Sequence, residues 1–440
     1  MKTVAASLVG ALAFSTTTAL AAVAPVAEKR DSVTPVTVKG NAFFKGDERF
    51  YIRGIDYQPG GSSQLKDPIA EPETCKRDIK KFKELGANTI RIYSVDNSVN
   101  HDECMDALAE EEIYLVLDVN TPDYSLNRED PHPSYNEVYL QNIFATMEAF
   151  AKYPNTLAFF SGNEVINDGP TSASAPYVKA VTRDMRRYLR ERGLRKIPVG
   201  YSAADVNENR QQMAEYMNCG PEIERSDFFA FNDYSWCSPS SFEGSGWAEK
   251  VETYKNYGIP LFLSEYGCTK TKRTFEEVEA LYSKEMTGVY SGGLVYEYSQ
   301  EDGRNYGLVE IKGDTVSDLP DFKALKSAFE KTANPEGDGG YNSTGGASGC
   351  PAKEGKTFDV KDDSLPALPV KAEQYFKDGP GKGVGFGGDG SQTAGTPSED
   401  MLEPGTTTGS GSSPSETGAA GTIRVAAGLL IAPLVAAFLA

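Results

Sequence analysis

Two glutamates stand at the ends of apolar, strand-like runs: Glu164 closes FFSGNE and Glu265 closes FLSEYG. Cleavage of a glycosidic bond needs one carboxylic acid to protonate the leaving oxygen and one carboxylate on the other face of the sugar. A separation of about 5–5.5 Å between them gives retention through a covalent glycosyl-enzyme. A lone glutamate at a strand end reads as a salt-bridge partner. Two of them, each behind a run that keeps it from bulk water, read as an acid and a nucleophile. One must then hold its proton near working pH while the other stays ionised, so their pKa values must be pushed apart. Only two histidines, His101 and His132, occur in 440 residues, which argues against a multi-histidine metal site and a Ser-His-Asp triad. No metal and no cofactor is expected.

The elements that would carry these residues repeat one theme from residue 50 to about 331. Strand-like runs at 50–58, 89–95, 113–120, 156–164, 197–203, 227–235, 259–267 and 292–300 alternate with amphipathic helical stretches. In PETCKRDIKKFKELG the apolar residues Ile79, Phe82 and Leu85 mark one buried stripe, opened by Pro72 and stopped by Gly86. Helical patterns are also expected in SYNEVYLQNIFATMEAFAKYP and FEEVEALYSKEMTG. Eight strands with interleaved helices predict a parallel (β/α)8 TIM barrel, an α/β fold. The fourth and seventh strands, which end in the two glutamates, then face each other across the barrel mouth. A doubly wound open sheet competes, but IRGIDYQPGG lacks the GxGxxG phosphate turn such a sheet should carry.

Lys and Arg number 44 against 63 Asp and Glu, a net charge of −19. So acidic a chain is a poor partner for nucleic acid. Residues 1–22 carry Lys2, an apolar stretch and the small residues Ala19 and Ala21, the order of a secretory signal peptide. Lys29-Arg30 is a possible dibasic trimming site. The catalytic domain is expected at 31–332. From 333 to 412 the composition turns to Gly, Ser, Thr, Pro and acid, which predicts a disordered, extended tether. Asn342 opens the N-glycosylation sequon Asn342-Ser343-Thr344. The last 16 residues are uncharged and apolar, too few for a span of about 20. Small residues at 408–413, a polar spacer and a short apolar terminus are the order of a GPI-attachment signal. Attachment is expected at one of Ser410, Gly411, Ser412 or Ser413, with 413–440 removed. The expected location is the extracellular face of the plasma membrane or the wall, as a monomer held by its GPI lipid.

Six cysteines in a secreted chain imply disulfides, with 15 connectivities open on sequence alone. Barrel neighbours reduce the field. Cys75 and Cys104 begin adjacent helices, and Cys237 and Cys268 follow adjacent strands. That leaves Cys219 with Cys350, tying the tether back to the barrel. No CxxC pair supports a metal site instead.

In order along the chain, the segments IRGIDYQ, IRIY, LDVNTP, SGNE, FNDYSWC, SEYGC and GGLVYEYSQE resemble the fungal GPI-anchored β-1,3-glucanosyltransferases of glycoside hydrolase family seventy-two. The resemblance covers roughly residues 33–331 and the anchored tail. Cys350 is the last cysteine, so the chain is similar to the branch without the cysteine-rich carbohydrate-binding module. The resemblance implies Glu164 as acid/base, Glu265 as nucleophile and the same cysteine pairing. It also implies sugar contacts from Tyr93, Asn163, Asp205, Arg210 and Tyr296, with Gln58 and Tyr234 as weaker members. Tyr298 would share the side of Tyr296 by the two-residue strand period. Asp205 and Arg210 could equally be a solvated ion pair. The activity implied is cleavage of internal β-1,3-glucan linkages and transfer of the new end to another β-1,3-glucan chain. The loop at 123–135 is an expected wall of the acceptor site. The alternatives are a retaining endo-β-1,3-glucanase and a non-enzymatic wall protein.

Overall fold

The computed structural model describes residues 33–352, 355–360 and 364–395. The signal-peptide segment, Lys29-Arg30 and the expected GPI site and propeptide lie outside the described residues. The first element is a small antiparallel sheet of β1 (Val36–Lys39), β2 (Ala42–Lys45) and β3 (Glu48–Phe50). It was not foreseen, because its short strands give no long alternation. Phe43 from β2 sits against Phe228 and Phe262, centroids 6.1 and 5.9 Å away, so the hairpin plugs one end of the barrel.

The barrel itself follows in chain order: β4 (Ile52–Asp56), β5 (Thr89–Ile92), β6 (Tyr114–Asp118), β7 (Thr156–Asn163), β8 (Val199–Ala204), β9 (Phe228–Asp233), β10 (Leu261–Tyr266) and β11 (Tyr290–Val295). Each pairs in parallel with the next, and β11 returns to β4 to close the ring. The expected (β/α)8 barrel is observed. Most of these strands are buried along their whole length, as required when helices cover one face and packed side chains the other. β8 and β9 stand between β7 and β10, so the two glutamate-bearing strands are three places apart around the ring.

The helices are α1 (Pro72–Leu85), α2 (Asp102–Glu110), α3 (Pro131–Ser134), α4 (Glu137–Ala151), α5 (Ala175–Glu191), α6 (Arg210–Met217), α7 (Trp247–Tyr254), α8 (Glu277–Leu281), α9 (Lys284–Thr287), α10 (Pro320–Lys331) and α11 (Glu373–Asp378). The predicted signals of α1 hold. Pro72 opens it, the Ile79, Phe82 and Leu85 stripe is buried, and Gly86 ends it at φ 77° with its N–H on the Lys83 carbonyl. Asn136 caps α4 by accepting from the N–H groups of Val138 and Tyr139. The single helix expected over FEEVEALYSKEMTG is instead α8 and α9, because Ser283 between them is extended (φ −77°, ψ 164°). A second unforeseen hairpin, β12 (Val309–Lys312) with β13 (Thr315–Asp318), follows the barrel.

The expected disordered tether requires correction over its described part. Residues 333–352, 355–360 and 364–395 run as a strap over the barrel surface and bury Phe358, Val360, Ala372 and Phe376. Asn342 exchanges backbone and side-chain hydrogen bonds with Asn41 beside the first hairpin. Phe358 then packs on Tyr216, and Phe376 of α11 on Phe144 and Tyr188. Sparse apolar residues were sufficient because aromatic side chains of the strap meet aromatic residues of the helices. The glycines allow backbone-to-side-chain approach as well as freedom. At Gly385, whose φ is 59°, a Cβ would lie 2.2 Å from Asp96 Oδ1. The three disulfides are Cys75–Cys104, Cys219–Cys350 and Cys237–Cys268, the expected pairing. Cys219–Cys350 fastens the strap beside α6.

Candidate active site

Glu265, on β10, is buried at the end of the barrel where the strands finish. Its two oxygens are held separately. Tyr93 Oη donates to Oε1 at 2.7 Å, and Tyr234 Oη donates to Oε2 at 2.7 Å. Arg91 Nη1 also donates to Oε1, at 3.2 Å. Every one of these partners is a donor, and donors favour the charged carboxylate. Arg91 has no exposed side chain and grips Asp118 through Nε at 2.8 Å and Nη2 at 3.2 Å. Its guanidinium is therefore fixed, and it fixes the rotamer of Glu265 in turn.

Glu164 follows β7 directly. Its φ of 47° places a non-glycine residue in the left-handed region, a conformation that costs about 1–3 kcal/mol and collects at functional sites. Backbone bonds hold it there. Its N–H donates to the Ser202 carbonyl at 2.9 Å, and its carbonyl accepts from Arg128 Nη2 at 2.8 Å. The side-chain Oε1 accepts from Asn232 Nδ2 at 2.8 Å. Asn232 reaches both glutamates' surroundings, because its Oδ1 accepts from Ser264 Oγ, the residue before Glu265, at 2.8 Å. Asn163 Oδ1 accepts from Ser202 Oγ and Asn232 Nδ2, at 2.7 and 3.1 Å. Asn163 also lines the cleft.

Burial pushes the Glu265 carboxyl up to about 7, Arg91 opposes the shift, and the charge of Glu164 adds to it. Burial thus opposes ionisation of Glu265 near neutral pH. Asp56, fully buried in the same floor, is raised well above the carboxylate range by burial, and neither of its oxygens has a hydrogen-bond partner. Nucleophilic attack is accordingly expected to rise with pH as Glu265 ionises through about 7. Glu164→Gln removes a like charge, so that limb should move to lower pH. The pH dependence of covalent labelling by an activated 2-fluoro β-laminaribiosyl donor measures it, because such a donor needs no acid.

The other expected site residues divide. Tyr296 lines the cleft, its ring edge-on to Tyr93, Tyr234 and Tyr306, with its hydroxyl 3.2 Å from Ser62 Oγ. Tyr234, a weak expectation, donates its hydroxyl to Glu265. Gln58 is buried; Oε1 accepts from the N–H groups of Tyr93 and Ser94, and Nε2 donates to the Lys66 carbonyl, so it shapes the β5 end. The expectation for Tyr298 is corrected. β11 stops at Val295, and Tyr298 turns to the α1 side, where its hydroxyl meets Asp78 and its ring packs on Tyr57 and Phe82. Asp205 pairs with Arg210 at 2.7 Å and with Lys250 at 2.6 Å, and Lys250 also meets Asp233. The pair is mostly buried, so the solvated reading fails, while the Asp205 oxygens are committed to protein cations.

Sequence reasoning missed Arg91, Asp118, Asn232 and Asp56. Each is a polar residue inside an apolar strand run (IRIY, YLVLD, FFAFND, IRGID). That signal was present, since a charge in a buried strand needs a partner or a task. The cleft continues from Tyr93 and Asn163 along Asn120, Thr121, Ser125 and Arg128, a hollow of about 330 Å³.

A family model described as glucanosyltransferase matches residues 25–333. The chain is 69% identical over 384 residues to the 1,3-beta-glucanosyltransferase gel1 of Aspergillus fumigatus, covering 87% of this chain and 84% of that protein. It is 53% identical over 373 residues to the 1,3-beta-glucanosyltransferase GAS5 of Saccharomyces cerevisiae, covering 83% and 77%. Among solved structures, a mutant of Saccharomyces cerevisiae Gas2p in complex with laminaritetraose and laminaripentaose superposes with a TM-score of 0.72 at 37% identity, covering 78% of this chain and 77% of that one. With a closed barrel, two glutamates held at its mouth and matches across the whole barrel, this chain belongs to the glucanosyltransferase family.

Proposed function

We propose that this chain cuts internal β-1,3-glucan linkages and rejoins the new end to a second β-1,3-glucan, with retained configuration. The observation that carries the reading is the unequal holding of the two glutamates. Glu265 is clamped by Tyr93, Tyr234 and Arg91 as a nucleophile must be, and Glu164 is bonded through one oxygen to Asn232. Glu265 attacks the anomeric carbon, and the bond to the departing 3-oxygen breaks as Glu164 gives that oxygen its proton. Glu164, now ionised, takes the proton of an incoming 3-hydroxyl, whose oxygen displaces Glu265. Asn163 is positioned to bond the 2-hydroxyl of the donor sugar, and Tyr296 to line it. Asp205 and Arg210 are the expected contacts for further sugar hydroxyls. No cofactor enters either half of the reaction.

The same reading places the protein outside the cell. The three disulfides suit an oxidising compartment, and the leader and tail compositions suit secretion and a GPI anchor at one of residues 410–413, working as a monomer. Among the described residues no helix is long and apolar enough to cross a membrane.

Incubation with a reduced laminari-oligosaccharide, followed by mass analysis, tests the activity. Products longer than the donor are expected. Shorter products alone would establish the endo-glucanase instead, and an unchanged donor would leave a non-enzymatic wall protein.

A further inference from the structure

We infer that the last described part of the strap, residues 383–395, sets how well the enzyme holds its acceptor, with Gln392 as a positioning residue. The proposal rests on the transfer reading above and deepens it. The hollow of about 330 Å³ beside the glutamates is walled on one side by Thr121, Pro122, Ser125, Leu126 and Arg128. This wall lies on the Glu164 side, since Arg128 bonds the Glu164 carbonyl. An acid/base handles the departing and arriving oxygens, so the acceptor sugar must occupy its side of the reacting carbon.

The wall is a long connection between β6 and α4, with only the one-turn α3 inside it. Its own ties include the Thr121–Tyr124 backbone bridge, the Asn127 N–H bond to Ser134 Oγ and the Ser174 hydroxyl on the Arg128 carbonyl. The strap adds a further set from outside. The Ser391 N–H donates to the Asp123 carbonyl at 2.9 Å, and the Ser391 carbonyl accepts from Asn136 Nδ2, the α4 cap, at 2.7 Å. Gln392 Nε2 donates to the Ser125 carbonyl at 2.7 Å and lies 3.2 Å from Ser125 Oγ. Gly388 lies so near the loop that a Cβ there would fall 1.9 Å from Tyr124 Oη, and Tyr124 is buried. The strap therefore clasps residues 123, 124, 125 and 136 from outside while Thr121, Pro122, Ser125, Leu126 and Arg128 face the cleft. It touches neither glutamate. A looser wall would leave the nucleophile, Glu164 and the donor sugar in place but order the acceptor poorly. Water, which needs no wall, would then take a larger share of the glycosyl-enzyme.

The test uses the full-length chain with Gln392→Ala and, separately, Gly388→Val. Two quantities are followed with a β-laminaribiosyl fluoride donor, whose departing fluoride does not use the wall, and laminari-oligosaccharide acceptors: the rate of fluoride release and the ratio of transfer to hydrolysis as acceptor concentration rises. For Gln392→Ala the expected result is an apparent acceptor KM raised about threefold or more, with a matching fall in the transfer ratio and unchanged donor cleavage. Gly388→Val should act in the same direction. Hydrogen exchange at residues 121–128 should quicken in both, with the barrel strands unchanged. An unaltered ratio in a folded Gln392→Ala chain overturns the proposal. So does an equal loss of cleavage and transfer, which would put the wall on the donor side or make its role purely structural. A wild-type chain that only hydrolyses would instead defeat the transfer reading, before any variant is compared.

Discussion

Glu265→Gln is expected to lower cleavage and transfer together by about 10³-fold or more, because no covalent glycosyl-enzyme can form. The variant should fold normally. Glutamine matches the carboxylate in shape, and its carbonyl can still accept from Tyr93 or Tyr234, which donate to the native oxygens at 2.7 Å. It also removes a carboxyl whose ionisation burial already opposes, so thermal stability near neutral pH should be kept or rise. Azide supplies a diagnostic arm. With Glu265 replaced by glycine and an activated β-donor, azide enters from the vacated face and should give the α-glycosyl azide. Turnover of Glu265→Gln at the wild-type rate would remove Glu265 from the mechanism.

The second large effect is on the other glutamate, and its signature differs. Glu164→Gln should cost about 10²–10⁴-fold on unsubstituted laminari-oligosaccharides, the usual contribution of a positioned general acid. With a donor whose leaving group is already acidic, formation of the glycosyl-enzyme should be nearly restored, because that bond breaks without a proton. Azide should then capture the intermediate with retention, as the β-azide. The Asn232 Nδ2 bond to Glu164 Oε1 at 2.8 Å can be kept by the glutamine carbonyl, so the loss reflects the proton. Equal loss on both donors would show that Glu164 holds the site together instead of supplying an acid. Opposite azide stereochemistry from the two variants separates nucleophile from acid/base in one assay.

The barrel was legible because its strands are apolar and its helices carry clear stripes and stops, as α1 does between Pro72 and Gly86. The two glutamates were legible because each ends such a strand. The holding of those glutamates was not. Arg91, Asp118 and Asn232 act through partners far away in the chain, and a single sequence does not state which buried polar residues meet. The part Gln58 plays was equally hidden, because its partners include backbone groups, here the N–H groups of Tyr93 and Ser94. The strap misled through composition. Its glycines read as flexible, yet at Gly388 the missing side chain is what lets the chain reach Tyr124. Composition reports how much apolar area a segment owns and says little of the aromatic partners awaiting it.

In this mechanism Glu265 becomes bonded to the sugar while Glu164 does not. Treatment of the native chain with a 2-fluoro β-laminaribiosyl fluoride, then digestion and peptide mass analysis, tests this directly. The prediction is one fluoro-laminaribiosyl group per chain, on the peptide containing Glu265 and released as a longer product when laminari-oligosaccharide is added. A label on Glu164, or steady turnover of natural donor with Glu265 fully labelled, would contradict it.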